Sequence, residues 1–232
     1  MTTLSISAAE WTAVLLSLKV SLWCTAGLCV PAVATGWLLA RLEFPGKALL
    51  DSVVHLPLVL PPVVPGYLLL LLLGSRGPIG RWLDASFGLR LAFTWQGAVI
   101  AAAVMAFPLV VRAVRLSIEL VDRRLEDAAR TLGAAPWRVF ATVTLPLALP
   151  GVLTGLILAF SRSLGEFGAT ITFVGNIPGE TRTLALAIYA AAQTPGNDLP
   201  ALRLVVLSLA LSLGALYAAE HLARRARHRL LG

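Results

Sequence analysis

Asp127-Ala128-Ala129-Arg130-Thr131-Leu132-Gly133, followed by Leu145-Pro146, is a polar, small-residue segment set between two long apolar runs. Residues 122–140 carry charge at both ends around a helix-forming centre at 125–132. Gly133 supplies the left-handed residue that ends a helix. Pro136 suits the first turn of another. The stretch predicts a short helix, a sharp break and a second helix running toward the membrane at Pro146. Ala128 and Ala129 keep the first helix slim enough to sit in a groove. Against an ordinary amphipathic connector, the loop at 122–149 reads as a docking surface for another protein.

The rest of the chain says where that loop is mounted. Of 232 residues, 58% are hydrophobic and only 13% are charged, and mean hydropathy is +0.83. Soluble domains average about 45–50% apolar and about 25% charged. The excess gathers in runs long enough to cross a bilayer, which takes about 20 apolar residues per helix. The class is all-α, a polytopic membrane protein with about five transmembrane helices at 11–39, 50–73, 94–120, 150–174 and 199–222. They form a single membrane domain over 1–232, with connections too short for a soluble one. The first run exceeds the roughly 7–15 residues of a signal-peptide core, and Glu10 precedes it in place of a basic region.

A net charge of +7 would suggest nucleic acid in a soluble chain. Here basic residues collect on one membrane side, and no nucleic-acid partner is expected. Arg41, Lys47, Arg112, Arg115, Arg123, Arg124, Arg130, Arg138, Arg224, Arg225, Arg227 and Arg229 lie on one face; Arg76, Arg81, Arg90, Arg182 and Arg203 lie on the other. That asymmetry places the 122–149 loop and the C-terminus in the cytoplasm and, with five spans, the N-terminus outside. Cys24 and Cys29, five apart on one helix, point to different faces and read as small apolar residues.

Inside the spans, Gly151, Gly155, Ala159 and Ser163 recur every four residues, as do Ala98, Ala102 and Ala106. Such stripes let helix backbones approach closely in lipid, and plain packing is the reading taken. The second span carries Pro57, Pro61, Pro62, Pro65 and Gly66. Each proline removes a backbone donor, and freed carbonyls at membrane depth need protein or a wet cavity around them. Pro61 and Pro62 therefore either line a pathway, touch a partner or make a structural kink. The fourth span is polar for a lipid helix, with Ser161, Arg162, Ser163, Glu166, Thr170 and Thr172. Intramembrane ionisable groups face the interior or water. Arg162 and Glu166, four apart, could pair on one face, either as structural glue or along a pathway. Ser161 and Thr170 could offer hydroxyls to a tetrahedral dianion. Outside, 78–84 reads as a short interfacial helix, and 183–192 as a weakly amphipathic segment able to act as a lid or receive a soluble partner.

Catalysis has no foothold. His55, His221 and His228 lack metal-ligand spacing. Gly46-Lys47 is followed by Ala48, without the earlier glycine of a phosphate loop. No nucleophile elbow or zinc helix appears. No catalytic residue, metal site or bound cofactor is expected, so an energised function requires a partner.

The 122–149 loop resembles the cytoplasmic EAA motif of bacterial ABC importer permeases. That motif runs Glu-Ala-Ala, three residues, Gly, nine residues, a branched apolar residue, one residue, Leu-Pro. Ala128, Ala129, Gly133, Val143, Leu145 and Pro146 match it in spacing; Asp127 stands at the glutamate position, with Glu126 just before. Residues 56–64, 66–69, 163–170 and 173–181 are similar to the molybdate permeases. Gly165-Glu166-Phe167-Gly168 is shared with the sulfate branch. The resemblance covers nearly the whole chain. It implies a type I ABC importer permease fold in a bacterial inner membrane. It also implies a homodimer, a cytoplasmic ABC ATPase dimer carrying ATP and Mg, and a periplasmic binding protein delivering molybdate or tungstate. The ATPase would dock on Glu126, Asp127, Ala128, Ala129, Arg130, Gly133, Leu145 and Pro146. The translocation pathway would include Pro61, Pro62, Ser161, Ser163, Glu166 and Thr170. A sulfate or thiosulfate importer is the nearest alternative. A stand-alone channel or ion-coupled carrier is the distant one, opposed by the coupling-like loop and by the lack of inverted-repeat signals.

Overall fold

A computed structural model describes residues 7–231, all helix, turn and loop with no strand among them. The side chains of Arg225, Arg227 and Arg229, counted above toward orientation, lie outside what is described.

Helix α1 (Ala8–Arg41) begins earlier than the apolar run because a reciprocal cap starts it. Ser7 Oγ accepts from the Glu10 N–H at 3.2 Å, and the Glu10 carboxylate accepts from the Ser7 N–H at 2.6 Å. This satisfies two orphan donors at once. The second span is broken into α2 (Lys47–Val59) and α3 (Val63–Leu73), which meet at 113°. Pro57 is tolerated inside α2, and Pro65 falls in the first turn of α3, where its missing N–H would have no helical partner. The adjacent Pro61 and Pro62 stand between the helices and make the corner.

A short amphipathic helix α4 (Pro78–Phe87) follows, opened by Pro78 and closed by Gly88. Helix α5 (Trp95–Glu119) is central, with Ala98, Ala101, Ala102 and Ala106 fully buried. It packs on α1 and on α8 (Leu145–Leu164). The small-residue stripes therefore serve helix packing, and Cys24 is buried in the same core. Intramembrane Lys19 has a partner: its ammonium lies 3.5 Å from the centre of the Trp95 ring, which offsets part of its cost in lipid.

Between α5 and α8 come α6 (Arg123–Thr131), the one-turn α7 (Pro136–Val139) and a π turn at Phe140–Thr144. The helical run from Pro136 to Leu164 is continuous, so the fourth span starts earlier than residue 150. It also ends earlier than residue 174. Gly165 and Glu166 interrupt it, and α9 (Gly168–Val174) is a separate piece. Helix α10 (Leu184–Ala192) packs as a structural element: Leu184 and Ala187 join Ala13, Val14 and Leu204 in a second apolar cluster. The Leu184 N–H donates to Ser17 Oγ of α1 at 2.7 Å in a buried setting. The 183–192 segment is thus tied down, not a free lid. Helix α11 (Asp198–Leu231) lies at the periphery, with Leu202, Val206, Leu209 and Leu213 exposed. Among the described residues four helices are long and apolar enough to cross a membrane, five if the bent α2–α3 pair is one span.

Candidate functional site

The docking-like loop is built on α6. Asp122 caps its start, accepting from the Arg124 N–H at 2.9 Å. Gly133, at φ 84°, ends it: its N–H reaches Arg130 O at 2.9 Å, and the Ala134 N–H reaches Ala129 O at 3.1 Å. These two bonds form the left-handed helix stop that the sequence called for. Pro136 then opens α7.

The outward surface is uncovered. Asp127, Ala128, Arg130, Thr131, Leu132 and Gly133 are exposed, with Leu132 at 88% and Trp137 at 69%. Among the described residues Asp127 pairs only with Arg130 of its own helix, at 3.2 Å. Together with half-exposed Leu125, the large apolar side chains of Leu132 and Trp137, on a loop that also carries charge, form the kind of surface a protein contact uses.

Glu126 behaves differently from its neighbour. It is 4% exposed and is the buried residue of α6. Its Oε1 accepts from Arg41 at the end of α1, with Nε at 3.1 Å and a terminal nitrogen at 2.9 Å. The same oxygen accepts from Thr144 Oγ1 at 2.7 Å. Arg41 also donates to Val121 O at 3.0 Å, just ahead of α6. Nearby, Trp37 and Phe140 meet edge to face with centroids 5.8 Å apart. Sequence reasoning missed Arg41 and Thr144. Arg41 registered only as an inside-facing charge, and nothing local links it to a carboxylate 85 positions away.

Leu145 and Pro146 are not on the exposed loop. They lie in the first turn of α8, where Leu145 packs against the main core. Proline at 146 cannot donate to residue 142 and crowds the carbonyl there. The π turn immediately before it widens the backbone, so that the Leu145 N–H bonds to Phe140 O. The Leu-Pro pair thus shapes the return of the chain, with Leu145 half-buried and Pro146 exposed. In the connection after α1, Lys47 donates to Glu43 at 2.7 Å and holds that carboxyl below the ordinary carboxylate range.

The pathway candidates fall at the two chain breaks, which the fold brings side by side. Helix α3 packs on α9 with almost nothing between the backbones: a β-carbon on Gly66 would stand 2.6 Å from Ala169 O. Pro62 lies against Gly168 in the same contact. Pro61, Pro62 and Ser161 are exposed, whereas Ser163, Glu166 and Thr170 are buried. Glu166 Oε1 accepts from the Ala169 N–H at 2.9 Å, capping α9. Its other oxygen forms an ion pair with Arg162. The expected pair therefore exists, but it straddles the end of α8 instead of lying along one helix. Ser163 Oγ donates back to Phe160 O of its own helix at 2.8 Å.

Residues 32–228 match the family described as binding-protein-dependent transport system inner membrane component. The molybdenum transport system permease protein ModB of Escherichia coli K12 is 61% identical, over 95% of this chain and 96% of that protein. Its namesake in Haemophilus influenzae is 55% identical over 95% and 96%. The sulfate transport system permease protein CysT of Escherichia coli K12 is 40% identical over 84% and 70%. Among solved structures, a bacterial ABC transporter involved in import of the acidic polysaccharide alginate superposes with a TM-score of 0.75 at 17% identity, covering 95% of this chain and 80% of that one. The MetNI methionine ABC transporter in an inward-facing conformation gives 0.67 at 17%, covering 94% of both. The polytopic all-helical fold, the uncovered α6 loop and these matches converge: the chain belongs to the binding-protein-dependent inner-membrane permeases of ABC transporters.

Proposed function

We propose that the chain is half of a homodimeric pore that imports molybdate across a bacterial inner membrane. The uncovered loop from α6 into α7, anchored from behind by Glu126 and presenting Leu132 and Trp137, is the observation that carries this reading. It supplies the grip that a cytoplasmic ATPase dimer needs. The 61% identity to a molybdenum permease supports the substrate.

ATP and Mg bind on the ATPase subunits, and the chain itself holds no cofactor. Closure of the ATPase dimer draws the two α6 helices together and turns the pore outward; hydrolysis returns it inward. Such alternating access proceeds by rigid-body motion of packed helices. A periplasmic binding protein delivers the oxyanion to the outer face, where α4 and α10 lie. The N-terminus stands outside and the C-terminus in the cytoplasm, following the basic-residue asymmetry. Ser161, Pro61 and Pro62 face the path, while Ser163, Glu166 and Thr170 shape it from behind. The path holds a dianion weakly, so that release stays fast.

The test is uptake of labelled molybdate by proteoliposomes holding the permease, its ATPase and its binding protein, with and without ATP, and with sulfate as competitor. ATP-dependent molybdate uptake that resists excess sulfate supports the reading. Preferential sulfate uptake selects the branch to which the 40% identical sulfate permease belongs. Full-rate transport by the permease alone would leave a channel or carrier.

A further inference from the structure

Along α6 one residue is buried against the body of the protein, and Val121 just ahead of the helix joins the main core. Glu126 is that buried residue, and the flanking contacts of Arg41 with Val121 O and of Trp37 with Phe140 belong to the same place. One carboxylate oxygen of Glu126 collects donors from two membrane helices: Arg41, the last residue of α1, and Thr144, the last residue of the π turn that leads into α8. The Arg41 and Glu126 side chains are 8% and 5% exposed. Truncating either member of such a pair strands a buried charge.

A π turn carries one residue more than the α-helix around it, and such turns gather at functional positions. This one sits where Pro146 prevents regular helix, and its Thr144 faces the carboxylate. A push on α6 therefore reaches α1 and α8 together, through one joint.

We infer that Arg41, Glu126 and Thr144 form the mechanical joint by which displacement of α6 moves the membrane helices, with Glu126 as a positioning residue for transport. The inference rests on the importer reading above. It goes further in separating two tasks within one loop: the exposed face binds the motor, and the buried carboxylate transmits its stroke. Disrupting the joint leaves docking and ATP hydrolysis in place while the pore ceases to follow.

The experiment uses the complete complex in proteoliposomes. Wild-type complex is assayed first; failure of ATP-dependent molybdate uptake there would sink the importer reading before any variant is compared. Glu126→Gln, Arg41→Lys and Thr144→Val are then scored for ATPase retained on purification, ATP hydrolysed, and molybdate taken up per ATP. The joint predicts uptake per ATP lowered about tenfold in Glu126→Gln, and lowered uptake per ATP with near-normal retention and hydrolysis in Thr144→Val, whose residue is no part of the docking set. Arg41→Lys should lose less, because it keeps the charge but cannot span both Val121 O and Glu126. Wild-type uptake per ATP in Glu126→Gln overturns the proposal. Should that variant fail to assemble, Thr144→Val decides, since it removes one hydroxyl at nearly constant shape. Unchanged uptake per ATP there, or loss of the ATPase, overturns the proposal equally.

Discussion

Ser117 on α5 donates its hydroxyl to Ala148 O on α8 at 3.1 Å, and Gly151 lies so close to Ser117 that a β-carbon on the glycine would stand 2.2 Å from the serine Cβ. Helices α5 and α8 meet at this crossing without side chains to spare. Small residues at helix–helix contacts in lipid allow this approach, and here the approach also frees Ser117 to bridge the backbones.

Gly151→Ala should accordingly loosen the α5–α8 crossing. Overpacking at such a point costs about 1–3 kcal/mol. Thermal unfolding in detergent should fall for Gly151→Ala and hold or rise for Gly27→Ala, a helical glycine whose β-carbon would meet nothing within 4 Å. Equal melting of the two variants would remove close packing as the reason for the stripe.

Gly133 is required for its backbone. Its φ of 84° lies where other residues are strained, and the space around it is open. Gly133→Asn should retain the ATPase, because Asn tolerates this conformation. Gly133→Val, at a cost of about 1–2 kcal/mol, should re-aim the Pro136 segment and lower retention. Gly133→Trp should insert normally yet lose the ATPase. Co-purification of a normal amount of ATPase with Gly133→Trp would count against docking at this loop.

Leu132→Asp and Trp137→Ala remove two exposed apolar side chains of the loop. Both should weaken ATPase capture while leaving the isolated permease within about 0.5 kcal/mol of its original stability, as surface changes do. Pull-down from detergent and melting of the permease alone read the two effects separately. A loss of stability matching the loss of capture would mean that these side chains belong to the fold.

Ser161→Ala should lower molybdate flux without admitting sulfate, because the binding protein selects the anion. Thr170→Ala should act through the fold, since Thr170 is 2% exposed and cutting back a buried side chain leaves a cavity. Competition uptake together with melting temperature distinguishes these outcomes. A clean exchange of molybdate for sulfate by Ser161→Ala would move selectivity into the pore.

Much of this protein is written in local sequence. Apolar runs of spanning length set the number of membrane helices, because the cost of backbone polar groups in lipid leaves helix as the open-ended choice. Ser7 with Glu10, Asp122 with Arg124 and the glycine at 133 fixed helix ends, since caps act over three or four residues. The same locality exposed the docking loop. Tertiary structure alone decided what each polar group does. Adjacent Asp127 and Glu126 are alike in sequence; one faces out, and the other is buried because Arg41 and Thr144, distant along the chain, arrive on its side of α6. Nor could the sequence say that the breaks at Pro61-Pro62 and at Gly165-Glu166 pack together, or that Glu166 caps α9 across the end of its own span. Periodicity reports which face of a helix is apolar; which charge meets which depends on how the helices cross.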